Sequence, residues 1–278
     1  MPELPEVQTI CQELSPLIKN KQIQHIDIYR PDSIGYPTPK DFVRSLLNQK
    51  IKDIFTRGKY ILISLSKNKI LVFHLRLSGQ LRYFLNSKVQ PQKTERLRLT
   101  FNNGDALSFF EPRALGKVYL IHNNKYPKEL SGLKNLGLEP TSNDFNYKYL
   151  FNKIKNRRAK IKTLLLDQTI CAGVGNIYSD EALFLAGIHP WTPANKLSLS
   201  EIKKLTRALK LILRRALKTK GSSVRDYLRP DGSSGGYQLS AYVYNREGEK
   251  CLKCGAIISF LKFGNRRTRF CPTCQQLR

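Results

Sequence analysis

Four cysteines near the end of the chain, Cys251-x2-Cys254-x16-Cys271-x2-Cys274, constrain the fold more than any other feature. Two thiolate pairs drawn together across a sixteen-residue hairpin supply the four soft ligands that tetrahedral zinc prefers, leaving no position open for water. The spacing predicts one structural Zn2+, against chance spacing or a redox pair. A hairpin this short has little core of its own, so the metal is expected to fold it. Phe260, Phe263, Arg266, Arg267 and Arg269 between the pairs give a basic tip suited to a groove or to phosphates. Cys11 and Cys171 are expected to be buried as small apolar residues.

The 48 Lys and Arg against 21 Asp and Glu leave a net charge of +27, which makes nucleic acid the first partner to consider. There is no run of eighteen apolar residues, so a membrane span is not expected. Met-Pro-Glu lacks the regions of a signal peptide, and the expected location is cytoplasmic.

The 278 residues suit more than one domain. Val7, Ile10, Cys11, Leu14 and Ile18 recur at helical spacing. Strand patterns follow at 23–29, 60–65 and 70–75, and a hairpin at 96–101 and 106–109 turns at Asn102-Asn103-Gly104-Asp105. Together they predict a β-sandwich over about residues 20–125. The expected boundaries are a β-sandwich domain at 1–131, a hinge at 132–148, a helical domain at 149–238 and the finger at 239–278. Ser198-Leu199-Ser200-Glu201 reads as a capping box for a helix that Gly221 would close. Residues 221–236 should form a long mobile loop, and 239–244 a strand.

Met1-Pro2-Glu3-Leu4-Pro5-Glu6 opens the chain. With Met1 removed, Pro2 would carry a free secondary amine, whose condensation with an aldehyde carbon gives an iminium of fixed positive charge. Glu3 and Glu6 offer general acid or base groups within one helical turn. The same residues are also ordinary helix-start signals, and alone they leave both readings open. Gly173-Val174-Gly175-Asn176 before an expected helix at 179–186 could receive a phosphate or serve close packing. Arg157 to Lys162 could equally be a solvated basic face, and His74, after an apolar strand, reads as a core histidine.

Taken together, residues 2–7, Arg57-Gly58-Lys59-Tyr60, the 173–190 segment with Asn176, and the four-cysteine finger resemble the formamidopyrimidine-DNA glycosylase family from end to end. The resemblance implies an α+β architecture: an N-terminal β-sandwich with flanking helices, a helix-two-turns-helix domain and a C-terminal zinc-finger hairpin. It implies a monomer that clamps damaged double-stranded DNA, excises 8-oxoguanine and formamidopyrimidines, and cuts the strand by β,δ-elimination. On this resemblance Pro2 attacks C1′, Glu3 moves protons, and Lys59 assists beside the lesion phosphate. Lys162, Asn176 and Arg266 would hold phosphates, while Leu77, Arg113 and Leu115 would fill the gap left by the flipped nucleotide. Leu77 and Leu115 stand where the family usually has methionine and phenylalanine, and Glu111 replaces a usual aspartate. A group resembling endonuclease VIII usually has glycine where Leu4 stands; a non-catalytic zinc protein that binds DNA is the reading from another class.

Overall fold

The computed structural model describes residues 2–86, 90–123, 125–224 and 226–277, without the side chain of Phe263. Met1, whose removal the sequence predicts, lies outside them. The chain divides into two compact units, Met1–Lys134 with Lys220–Gly235, and Asn135–Thr219 with Gly236–Arg278.

In the first unit, α1 (Leu4–Ile18) begins with a Glu3/Glu6 capping box and buries Val7, Ile10, Cys11, Leu14 and Ile18. β1 (Ile23–Ile28), β2 (Ile34–Tyr36), α2 (Pro39–Leu46), β3 (Ile51–Arg57), β4 (Tyr60–Leu65) and β5 (Lys69–His74) follow. β6 (Gln80–Phe84), β7 (Glu95–Phe101), β8 (Ala106–Phe110), β9 (Lys117–His122) and the short α3 (Ser131–Lys134) complete the unit's first segment. The strands form two sheets, ordered β1-β7-β8-β6 and β2-β9-β5-β4-β3. Leu81, Leu97, Leu99, Leu107 and Phe109 from the first sheet share one core with Ile61, Ile63, Leu71, Phe73, Val118 and Leu120 from the second. This is the sandwich that the alternating patterns predict.

The second unit holds α4 (Tyr147–Ile154), α5 (Ile161–Leu166), α6 (Asn176–Ala186), α7 (Leu199–Lys218), and the finger strands β10 (Ser259–Phe263) and β11 (Arg266–Phe270). α7 starts at the Ser198/Glu201 capping box and buries Ile202, Leu205, Leu209, Ile212 and Ala216.

Three expectations change. Gly221 does not close α7: the cap is Thr219, and Lys220 already takes the left-handed conformation at φ +63°. Residues 239–244 form no strand, because the buried Glu181 carboxylate accepts the N–H groups of Tyr242, Val243 and Tyr244 at 2.8–2.9 Å, donors a ladder would otherwise use. The loop after α7 is tied to the first unit, with Tyr227 in its core and Arg229 donating to Glu13 at 2.6 Å.

Candidate active site and nucleic-acid interface

The C-terminal end of α1 is fixed to the start of β3 by Asn20 N–H to Ile51 O at 3.0 Å and Ile51 N–H to Lys21 O at 2.9 Å. α1 packs on β3. A fifteen-residue helix rises about 22 Å and a seven-residue strand about 23 Å, so the helix start reaches the level of the β3–β4 turn. That turn is Gly58-Lys59, made possible by φ +58° at Gly58, and Lys59 is half-buried there. Pro2 and Glu3, both buried, thus share one end of the unit with Lys59. Glu6 steadies this start: one carboxylate oxygen accepts the Glu3 N–H at 2.7 Å and the other the Ser222 N–H at 2.8 Å. Gly221, at φ +79°, passes so close that a Cβ would lie 2.7 Å from the Glu6 carboxylate. A side chain there would displace Glu6, which is why glycine stands at 221.

His74 pairs in register with Tyr60, and their rings lie 4.2 Å apart at the same end of the sheet. Burial first, then the charges of Arg76 and Lys59, push its pKa down to about 3, so it is neutral at physiological pH. The position beside Lys59 was invisible in the sequence, where His74 read only as a core residue. Between the unfolded value near ~6.5 and the folded value of about 3, the unfolded chain binds a proton that the folded chain does not. Stability should therefore fall as pH drops below ~6.5, by at most about 1.4 kcal/mol per pH unit from this group. Urea midpoints from pH 7 to pH 4.5 should decline less steeply for His74→Gln than for the parent; parallel curves would show that His74 is protonated in the fold.

Two exposed leucines sit at loop tips near this end. Leu77 is 38% exposed in the β5–β6 turn and Leu115 46% exposed in the β8–β9 loop. Beside each, a non-glycine residue is left-handed: Arg76 at φ +54° and Ala114 at φ +56°. Such backbone costs of order 1–3 kcal/mol and clusters at functional sites. The buried Glu111 joins the two loops, accepting from Ser78 Oγ, from Arg113 N–H at 2.9 Å and from Gly116 N–H at 2.8 Å. Arg113 reaches Asp226 at 3.0 Å. The sequence marked Glu111 only as a departure from aspartate; the structure makes it the anchor of both tips. Glu111→Ala, which orphans these donors, should cost about 2–4 kcal/mol of stability by denaturant titration, and Glu111→Asp less. Equal losses for the two variants would refute the anchoring role.

In the second unit, Gln168 stitches the α5–α6 connection. Its amide donates to Leu166 O and Val174 O at 2.9 and 2.8 Å and accepts from Gly173 N–H at 2.9 Å. Asn176 therefore starts α6 from a fixed turn, and its Nδ2 donates to Arg267 O at 3.0 Å. Arg266 is exposed at the start of β11, just past the Gly264-Asn265 turn. Lys162 departs from expectation. Instead of facing solvent its side chain is fully buried, and its ammonium pairs with Asp180 and donates to Asn176 O at 3.1 Å. Burial pushes the Asp180 carboxyl up to about 6, against the pull of Lys162 and of the Arg269 N–H.

The sulfur atoms of Cys251, Cys254, Cys271 and Cys274 lie within 4.8 Å of one another. Sγ separations of 4.0 Å (Cys251–Cys274) and 3.4 Å (Cys254–Cys271) bracket the roughly 3.8 Å edge of a zinc tetrahedron with ~2.3 Å bonds. The four thiolates fit one structural zinc. No helix among the described residues is long and apolar enough to cross a membrane.

Three family models match: the formamidopyrimidine-DNA glycosylase N-terminal domain over residues 1–118, the H2TH domain of that enzyme over 136–227, and the zinc finger found in FPG and IleRS over 248–277. The chain is 38% identical to a formamidopyrimidine-DNA glycosylase of Pelotomaculum thermopropionicum, covering 100% of both, and 38% identical to one of Lactobacillus gasseri, covering 100% of this chain and 99% of the other. Among solved structures it is similar to a Lactococcus lactis FPG point mutant in complex with a Fapy-dG containing DNA, at 36% identity and a TM-score of 0.92 over 99% of this chain and 100% of that one. MutM (FPG) from Thermus thermophilus gives 35% identity and a TM-score of 0.90, with 100% of both chains covered. Full-length identity, all three domain models and the cysteine cage agree: the chain belongs to the formamidopyrimidine-DNA glycosylase family.

Proposed function

We propose that this chain excises 8-oxoguanine and formamidopyrimidines from duplex DNA and then cleaves the strand, with Pro2 as the nucleophile. The observation that carries the reading is the buried Pro2-Glu3 start of α1, at the same end of its unit as Lys59. The Pro2 nitrogen lone pair attacks C1′, the bond from C1′ to the base breaks, and the base leaves with a proton. The ring opens to an iminium between Pro2 and C1′. Loss of a C2′ proton expels the 3′ phosphate, and a second elimination expels the 5′ phosphate. Glu3, within one residue of the amine, moves the protons at the deoxyribose. Lys59 holds the phosphate beside the lesion. Leu77, Arg113 and Leu115 enter the vacated stack, a role suited to exposed apolar tips on strained turns.

Asn176 and Arg266 take backbone phosphates; an amide nitrogen carries two hydrogens, so Asn176 can donate to Arg267 O and to a phosphate together. The zinc, when bound, supplies fold rather than chemistry. The setting we propose is a monomer at duplex DNA in the bacterial cytoplasm, at the nucleoid.

The rival substrate class is oxidised pyrimidines. Single-turnover excision should be at least about tenfold faster on 8-oxoguanine paired with cytosine than on dihydrouracil or thymine glycol duplexes, the discrimination that roughly 1.4 kcal/mol of base-specific contact gives. The reverse order would move the chain to the endonuclease VIII reading.

A further inference from the structure

β11 belongs to a two-stranded sheet, so one edge pairs with β10 and the other would be left with open backbone groups at Arg267 and Arg269. α6 covers that edge with side chains instead of a strand. Asn176 Nδ2 donates to Arg267 O at 3.0 Å, and Arg269 N–H donates to Asp180 Oδ2 at 3.1 Å. The spacing explains why both bonds form. Four residues of helix rise about 6 Å and two residues of strand about 6.8 Å, so an i, i+4 pair on α6 meets an i, i+2 pair on β11. The second Asp180 oxygen takes the Lys162 ammonium, which also holds Asn176 O. Lys162 and Asp180 are both fully buried.

We propose that Asp180 is a positioning residue that registers the finger hairpin on α6, and that Lys162 acts through it rather than by gripping DNA. This rests on the reading of Asn176 and Arg266 as phosphate ligands. Arg266 lies three residues before Arg269 on the same strand, so fixing Arg269 on α6 fixes the distance between Arg266 and Asn176. Asp180 is not what folds the finger. The zinc cysteines, the core of Phe184, Val243, Cys251, Ile258 and Cys271, and the Glu181 grip on 242–244 already secure its base. Asp180 acts beyond them, on the strand leading to the tip.

A double-mutant cycle on the zinc-loaded full chain with lesion duplex tests this. Asp180→Ala and Arg266→Ala should each weaken binding roughly tenfold, the scale of one charged hydrogen bond. Each should also lower the magnitude of the log-log salt slope by about 0.9, one phosphate contact. The double variant should be no worse than either single one, and Lys162→Met should flatten the slope no more than Asp180→Ala does and add nothing in the Asp180→Ala background. Multiplying losses, a silent Asp180→Ala beside an effective Arg266→Ala, or further flattening when Lys162→Met is added to Asp180→Ala would overturn the proposal alone. A silent Arg266→Ala would remove the phosphate reading and the proposal with it. Should Asp180→Ala lose its zinc, hydrogen exchange on the parent protein decides: the Arg269 amide must be protected without DNA, and exchange at the unprotected rate would refute its bond to Asp180.

Discussion

Borohydride reduction with an 8-oxoguanine duplex should leave this protein covalently attached to DNA through Pro2, and a chain that keeps Met1 or carries an N-terminal tag should give no adduct. The amine becomes an amide in the blocked chain, its lone pair delocalised into the carbonyl, so trapping and strand cleavage fall to background while duplex binding persists. Glu3→Gln should lower base excision by about 10²–10⁴-fold, the usual scale for removing a positioned acid or base. Burial of Glu3 and the bond from its N–H to Glu6 make this a test of chemistry rather than of a solvent-exposed carboxylate. Peptide mapping must place the adduct on residue 2. An adduct on a lysine, or full activity in the blocked chain, would contradict the nucleophile assignment; no adduct from a processed, zinc-loaded protein that still binds DNA would favour the non-catalytic reading.

Metal removal should have the second large effect. Cys251 and Cys271 are at once zinc ligands and members of the core that joins the finger to Phe184 of α6. Zinc sites of this kind contribute about 10–16 kcal/mol of binding free energy, far more than a short hairpin gains from its own packing. Cys271→Ser should abolish the single equivalent of zinc, expose the Phe184 and Ile258 surface, and weaken lesion-duplex binding by at least about tenfold through loss of Arg266, the scale of one charged hydrogen bond. Metal analysis beside binding titrations checks both. A metal-free wild-type protein that binds the duplex normally would sink the prediction.

Some of the site was legible because it is written in local spacing. A Cys-x2-Cys pair needs only a turn to aim two thiolates at one point, so neighbouring residues alone specified the cage; Pro2, Glu3 and Glu6 lie within one helical turn of each other, but that spacing alone left both a helix start and a nucleophile open. The α1 and α7 faces were likewise set by 3–4 spacing, because a helix with one apolar stripe can bury it in only one way. Where local pattern and tertiary demand competed, tertiary demand won. Residues 239–244 alternate like a strand, yet one buried carboxylate on α6 takes their amides.

By itself, then, the sequence determined the sandwich strands, the capped helices, the zinc cage and, through its motifs, the family. Only the tertiary structure decided that His74 stands beside Lys59, that Glu111 ties the Leu77 turn to the Arg113 loop, that Gly221 makes room for Glu6, and that Lys162 turns inward to Asp180. These residues are 15 to more than 200 positions apart in the chain. Each relation depends on which buried polar group finds which partner, and that is settled by the closing of the core around them. Periodicity cannot encode it, because a carboxylate kept from water is stable only where donors from distant segments converge on it.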